Sequence, residues 1–176
     1  SHTHMVFDGD RSAEFEARMA GQSYEAGGIR TTMEATRQAS EERLRKLVRG
    51  RLAACHAGGT TTVETKTGYG LTIPTEVLAA EIGAELCDEV TFLGAHVCPP
   101  EMDQSDYVEL VAGEMLEAVA PHVGWIDVFC EEGAFTYEEC KKILEAGRKK
   151  GLVPRVHGNQ LGEGPGIALA VEVGAA

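Results

Sequence analysis

The sequence lacks three features that would assign the protein to a common class at once. Its five cysteines are widely spaced and include no C-x-x-C pair, so neither a zinc ribbon nor a dithiol redox site is indicated, and we expect reduced thiols. Lys and Arg number 16 against 28 Asp and Glu, which leaves no basic stripe for nucleic acid or for an anionic membrane. No apolar run approaches the roughly 20 residues of a membrane helix, and no signal-peptide pattern opens the chain. We therefore expect a cytosolic protein with neither nucleic acid nor a membrane among its partners.

The composition is that of a globular protein. Of the 176 residues, 43% are hydrophobic and 25% are charged, which is enough for one substantial core. The chain begins on Ser1 rather than Met and ends on Ala176, where a helix would lead into another strand. We therefore expect a fragment of a longer protein.

Short β-branched or apolar runs alternate with helical patterns along the chain. The segment 11–36 is polar and broken by glycines, and we interpret it as a long loop with some helix that covers a site. The five predicted strands are 5–7, 60–66, 90–96, 125–130 and 152–157. The predicted helices are 40–57, 75–87, 106–120, 136–150 and one that begins near Pro165.

This alternation, without hairpin turns between the strands, predicts an α/β fold with a parallel sheet. A closed eight-unit barrel takes about 250 residues, so the chain would supply five of its eight strand–helix units. An open doubly wound sheet is the rival architecture. Periodicity does not choose between the two.

The first candidate for chemistry is the pair His2 and His4. Alternate residues of a strand share a face, which places the two Cα atoms about 7 Å apart and lets both imidazoles reach one metal ion. A surface tail, such as a cloning remnant, explains an isolated H-x-H equally well.

Three further residues follow or end predicted strands. Tyr69 lies just after the second strand, His96 ends the third and His157 ends the fifth. The carboxyl ends of parallel strands carry the active site in α/β folds, so we expect these side chains to converge with the H-x-H pair. His56 and His122 lie at helix ends and are interpreted as surface residues.

Other charged or glycine-rich features have simpler explanations. Lys66 is interpreted as a lysine at a strand end, and residues 131–132, both glutamate, as a solvated loop. The stretch Gly162–Gly166 resembles a phosphate loop, but the third glycine of that motif would fall on Ile167. We interpret it as a helix start, with Pro165 near the first turn.

Several blocks of the sequence resemble the imidazolonepropionase family of metal-dependent amidohydrolases, in the family's order and along the whole chain. The second block, G-T-T-T-V-E-T-K-T-G-Y-G-L, is far more specific than H-x-H. The blocks are 2–11, 59–71, 91–96 with 99–101, 127–131 and 156–160.

The resemblance implies the first five units of a (β/α)8 barrel over 1–176, without the remaining strands and the family's small β domain. It implies one zinc or iron ion bound by His2, His4 and His157. Arg11 would bind the substrate's propionate, because a guanidinium suits a carboxylate. The residues implied to contact the imidazolone ring and the ring-opened product are Tyr69, His96 and Gln160.

The implied reaction is hydrolysis of the cyclic amide C–N bond of 4-imidazolone-5-propanoate to N-formimino-L-glutamate, in histidine degradation. Gln160 stands where some relatives carry glutamate, so a carboxylate base is missing there, and the general base is expected outside this chain. The resemblance therefore implies that the fragment alone is inactive, and it allows a homodimer of the full-length protein.

Two alternatives stay open. Another cyclic-amide hydrolase or a deaminase of the same superfamily would keep the histidines without needing Arg11, Tyr69 and His96 together. A non-catalytic α/β metal-binding module would also fit a truncated barrel.

Overall fold

A parallel sheet of four strands forms the centre of the computed structural model, which describes residues 2–21 and 27–176 apart from the side chains of 13, 14, 17, 18 and 27–29. The strands are hydrogen-bonded in the order β1-β2-β3-β4, and every pair is parallel. The predicted α/β fold with a parallel sheet is therefore confirmed. The strands are β1 (Glu64–Lys66), β2 (Glu89–Ala95), β3 (Trp125–Cys130) and β4 (Val153–Gly158).

The prediction of a strand over 5–7 was wrong. The amino-terminal segment does lie beside β1, because the N–H of Lys66 donates to the carbonyl of Thr3 at 2.8 Å. The next contact is to a side chain, since the N–H of Met5 donates to Oγ1 of Thr65 at 2.9 Å. A threonine hydroxyl thus takes the place of a backbone acceptor, and no regular strand ladder forms.

Eight α-helices are present in the described part of the chain, and four of them lie between the strands. The segment 11–36, interpreted as mainly loop, is largely helical where it is described, and its residues 22–26 lie outside the described residues. The helices are α1 (Ser12–Met19), α2 (Gly27–Gln38), α3 (Glu41–Ala57), α4 (Ile73–Leu86), α5 (Gln104–Leu110), α6 (Leu116–Val119), α7 (Tyr137–Lys149) and α8 (Gly166–Val173).

Polar caps explain where the helices begin. Ser40 accepts the N–H of Arg43 with its side chain and starts α3 as predicted. Thr136 and Glu139 form a capping box at the start of α7. Helix α4 starts earlier than predicted, because Thr72 is its N-cap and Pro74 lies inside the first turn, where a missing N–H costs nothing.

The helix predicted over 106–120 is not continuous. It begins as α5, passes through a π-helical turn at Val111–Met115 and resumes as α6. Gly113 interrupts it with φ −112° and ψ −108°, a conformation outside the helical region. The glycine explains the kink, because it has the lowest conformational cost of leaving the helix.

The alternation of side chains along the strands separates a hydrophobic face from a polar one. Phe92, Ile126 and Val128 are fully buried in the main hydrophobic core, together with residues of α5 to α8. A second cluster joins the amino-terminal segment to α3 and α4 through residues such as Val6 and Val48. The opposite face of the sheet is left for the polar side chains of the candidate site.

All five cysteines are free thiols, as expected, and two of them, Cys130 and Cys140, are buried. Across residues 2–21 and 27–176, none of the helices combines the length and the apolar composition that a membrane span requires.

Candidate functional site

The carboxyl ends of the strands carry a cluster of aromatic and imidazole rings, here called the ring cluster. Tyr69 follows β1, His96 follows β2, and Phe129 and His157 lie near the ends of β3 and β4. The amino-terminal segment beside β1 adds three more rings. The ring cluster consists of His2, His4, Phe7, Tyr69, His96, Phe129 and His157.

The imidazoles of the ring cluster are in direct contact. Nε2 of His157 lies 2.6 Å from Nδ1 of His2, a hydrogen-bonding distance. The ring centroids of His2 and His4 are 5.0 Å apart. His4 stacks on His96 at 5.2 Å with an interplanar angle of 12°, and its ring lies 4.7 Å from that of Tyr69. Five residues singled out in the sequence therefore meet at one rim of the sheet.

Asp127 fixes the orientation of His157. Its Oδ1 lies 3.0 Å from Nδ1 of His157, and an ionised carboxylate accepts hydrogen bonds without donating any. The proton of neutral His157 is therefore on Nδ1, and Nε2 carries the lone pair that faces His2. This pairing of a carboxylate with the far nitrogen of a histidine is the arrangement that commonly supports a metal ligand.

Lys66 lies behind this pair, and its interpretation as a simple strand-end lysine was wrong. Its side chain is 2% exposed, and Nζ lies 2.9 Å from Oε1 of Glu64 and 3.0 Å from Oδ2 of Asp127. Arg155 donates to the same Glu64 oxygen at 3.1 Å and to Oγ1 of Thr91 at 2.7 Å. The polar face of the sheet, here called the inner face, thus holds a buried network of paired charges that ends at His157.

Burial sets the ionisation of the ring cluster. Desolvation, followed by the neighbouring His157, lowers the pKa of His2, and desolvation with the neighbouring His96 lowers the pKa of His4 further. Burial lowers the pKa of His96 to about 4. Burial alone would raise the pKa of Asp127, but the hydrogen bond from His157 and the charges of His157 and Lys66 hold it below its usual value. At neutral pH His2, His4 and His96 are therefore uncharged, and the carboxylate of Asp127 is ionised.

The donor types fit a zinc or iron ion, although no ligand set is preformed. Among residues 2–21 and 27–176, no group of three or more His, Cys, Asp or Glu side chains is arranged to hold a metal ion. His2 and His157 instead share their hydrogen bond. Both metals bind neutral imidazole, however, and Nδ1 of His4 is buried without a hydrogen-bond partner in that part of the chain. The chemistry of these nitrogens therefore suits such an ion, whereas their present arrangement, with His2 bonded to His157, does not hold one.

A buried glutamate shapes the loop that carries Tyr69. Glu76, in the first turn of α4, is 0% exposed, and its carboxylate accepts the backbone N–H groups of Gly68, Gly70 and Leu71 at 2.9 to 3.2 Å. Burial raises the pKa of Glu76, although the N–H donors counteract it. The loop 68–71 therefore bends around a side chain that the sequence analysis missed.

Arg11 and Gln160 are close to the ring cluster in sequence, Arg11 four residues after Phe7 and Gln160 three residues after His157. Arg11 is half-buried and precedes α1, where its carbonyl accepts the N–H of Phe15. Gln160 is exposed just after β4, and its N–H donates to Oε1 of Glu131. Glu131 is 6% exposed, so the interpretation of residues 131–132 as a solvated loop was wrong for the first of them.

A signal for the missed charges was present in the sequence. Glu64 and Lys66 are two residues apart in one strand, which places them on the same face, and Arg155 and His157 repeat the pattern in β4. Charged residues at the alternate positions of short strands indicate a polar interior face. No sequence pattern, by contrast, distinguished Glu76 from the other acidic residues of the helices.

Known proteins match the whole chain, although no family model does. Imidazolonepropionases from Saccharopolyspora erythraea, Micrococcus luteus and Paenarthrobacter aurescens are 61%, 60% and 58% identical to it, and each alignment covers all of this chain. The chain spans 43 to 45% of the length of these curated relatives. At this identity, sustained from the first residue of the chain to the last, the chain belongs to the imidazolonepropionase family.

Proposed function

We propose that this chain supplies the metal-binding and substrate-binding half of a hydrolase that opens the ring of 4-imidazolone-5-propanoate. Water adds to the cyclic amide, the C–N bond breaks, and N-formimino-L-glutamate is formed, a step in histidine degradation. The observation that supports the proposal most is the meeting of His2, His4 and His157 with Tyr69 and His96 at one rim of the sheet.

The proposed architecture is the first part of a (β/α)8 barrel. In a barrel, consecutive strands are neighbours, whereas a doubly wound sheet reverses its strand order at a switch point. The order β1-β2-β3-β4 has no reversal. The amino-terminal segment lies at the free edge of β1, where a barrel places the preceding strand. These two features support five consecutive units.

The proposed ligands of one zinc or iron ion are His2, His4 and His157. When bound, such an ion supplies a Lewis acid that polarises the ring carbonyl and brings the pKa of water toward neutrality. Asp127 holds Nδ1 of His157 and so keeps its Nε2 available. The charge of Lys66 favours the ionised form of Asp127 and maintains that orientation.

The remaining residues bind and orient the substrate in this proposal. Nδ1 of His96 donates to the carbonyl of Gly68 at 2.8 Å, so its Nε2 is left to accept a hydrogen bond from a ring N–H. Tyr69 packs against the imidazolone ring as it packs against His4 and His96. Arg11 binds the propionate and Gln160 contacts the ring-opened product. Proton transfer requires a base that we place outside these residues, so the chain alone is expected to bind without turnover.

A chimera tests the proposal. The 176 residues replace the corresponding stretch of the Saccharopolyspora erythraea protein, and the purified chimera is assayed with imidazolone propionate, hydantoin and guanine. We expect hydrolysis of imidazolone propionate alone. His157→Asn should abolish this hydrolysis, whereas His122→Asn, at a histidine remote from the rim, should retain it.

Two results would contradict the proposal. A folded chimera that hydrolyses hydantoin or deaminates guanine in preference to imidazolone propionate would favour another amidohydrolase. A folded chimera without turnover of any of the three substrates would favour a non-catalytic module.

A further inference from the structure

The carboxylate of Glu76 collects an unusual number of donors from one short loop. Its two oxygens accept the N–H groups of Gly68, Gly70 and Leu71, and the hydroxyl of Thr67 adds a side-chain hydrogen bond. All of these donors come from the connection between β1 and α4. A fully buried carboxylate with this many partners is costly to remove, because each donor would then be left unsatisfied.

The loop has a conformation that needs such support. Leu71 has φ +57°, in the left-handed region that non-glycine residues seldom adopt. Gly68 has φ +106°, and a Cβ there would lie 2.5 Å from the carbonyl oxygen of Leu93. Strained backbone of this kind persists where the surroundings over-determine it. In this loop, the hydrogen bonds to Glu76 hold the backbone in its strained conformation.

The other side of the same loop faces the ring cluster. The N–H of Gly68 donates to Glu76, and its carbonyl accepts from Nδ1 of His96 at 2.8 Å. Because a carbonyl only accepts, neutral His96 carries its proton on Nδ1 and a lone pair on Nε2. The next residue, Tyr69, places its ring 5.3 Å from His96 and 4.7 Å from His4. Gly68 thus bonds to Glu76 through its N–H and to His96 through its carbonyl, so that the buried carboxylate influences the tautomer of His96.

We propose that Glu76 is a positioning residue that fixes His96 in the Nδ1–H tautomer, by holding the backbone of the loop 68–71, and thereby makes the site selective for a ring N–H donor. The selectivity rests on the proposed function, because it needs His96 to contact the substrate. The effect of Glu76 on the tautomer of His96 is independent of the proposed function, because it concerns the ligand-free chain. A ligand that presents a bare acceptor at this position would meet the lone pair of Nε2 and be rejected.

The test is NMR of the ligand-free 176-residue chain with 15N-labelled histidine, where the shift of each ring nitrogen reports which one carries the proton. A His96→Gln variant assigns the His96 signals. We expect the Nδ1–H form for His96 in the unmodified chain. In Glu76→Gln, one oxygen becomes an NH2 group that faces the loop's own N–H donors. The carbonyl of Gly68 is then released, and the ratio of tautomers should change by about tenfold, as expected for the loss of one hydrogen bond.

Glu131→Gln is the matched control. Glu131 is also buried and accepts a loop N–H, that of Gln160, but at the end of a different strand. It should leave the His96 tautomer unchanged. A merely structural role for Glu76 would lower the melting temperature of Glu76→Gln while the His96 tautomer stayed the same, and this result would overturn the proposal. An equal change in Glu131→Gln would also overturn it.

If Glu76→Gln does not fold, amide hydrogen exchange of the unmodified chain provides the test. The amides of Gly68, Gly70 and Leu71 should then exchange with solvent as slowly as the core strands, because one buried carboxylate holds all three. Fast exchange of these amides, or a proton on Nε2 of His96, would overturn the inference. Absence of imidazolone hydrolysis in the chimera would instead count against the proposed function alone.

Discussion

Replacing Lys66 by methionine should destabilise the fold by about 3–5 kcal/mol, because it leaves a buried negative charge without its partner. The side chain of Lys66 is 2% exposed, and Nζ lies within 3.0 Å of both the Glu64 and the Asp127 carboxylates. Methionine has a similar volume and fills the same space, so the loss is one of charge rather than packing. Arg155 still partners Glu64, at 3.1 Å, and this leaves Asp127 as the carboxylate most affected.

The size of the loss should depend on pH. In the unmodified chain the pKa of Asp127 lies below its usual value of 3.8, so this group stabilises the fold above about pH 4 and loses that contribution as the pH falls through the lowered pKa. Removing Lys66 takes away one cause of the lowering, and the folded-state pKa of Asp127 rises. The destabilisation by Lys66→Met should therefore be full near pH 7 and smaller near pH 4.

Urea unfolding at the two pH values measures both effects. Lys142→Met is the matched control, because Lys142 pairs with Glu109 at the surface, where both side chains are largely exposed. Its removal should cost less than about 1 kcal/mol and show no comparable pH dependence. If Lys66→Met costs no more than Lys142→Met at neutral pH, the charges of the inner face do not stabilise the fold as argued.

The remaining predictions concern packing and helix ends. Gly147→Ala should destabilise by about 1–3 kcal/mol, since its Cβ would lie 2.7 Å from side-chain atoms of Ile126, whereas Gly50→Ala, in open space within α3, should stabilise by about 0.5–1 kcal/mol. Equal thermal shifts in the two variants would contradict this packing. Ser40→Ala should cost about 1 kcal/mol in urea unfolding, because the N–H of Arg43 loses its cap, and a cost near zero would argue against that hydrogen bond.

The sheet was predictable from the sequence, because strand runs and helical patterns alternate at the spacing of parallel α/β folds. The boundaries of β3 were predicted as observed, and those of β2 within one residue. The strand predicted over 5–7 does not form, for a reason that the hydrophobic periodicity of the sequence does not reveal. Met5, within this segment, donates to the side chain of Thr65 in β1 and not to a backbone carbonyl, and this is visible only in three dimensions.

The candidate site was predictable only in part. The convergence of His96 and His157 with the amino-terminal histidines was predictable, because the carboxyl ends of parallel strands share one rim. Lys66 was misinterpreted because lysine is seldom fully buried, and the partners that permit its burial come from another residue of β1 and from β3. Glu76 was missed because its donors depend on the left-handed conformation of Leu71, which nothing in the sequence indicates.

The proposed function requires His2, His4 and His157 to bind one metal ion together. Titrating the chain with Co²⁺ and following its visible absorption tests this requirement, because the spectrum reports the ligands and the end point gives the stoichiometry. We predict one Co²⁺ per chain, with binding lost in His4→Asn and His157→Asn and unchanged in His122→Asn. A folded chain that shows no saturable Co²⁺ spectrum, or equal Co²⁺ binding by the His157→Asn variant, would contradict metal binding by these three histidines.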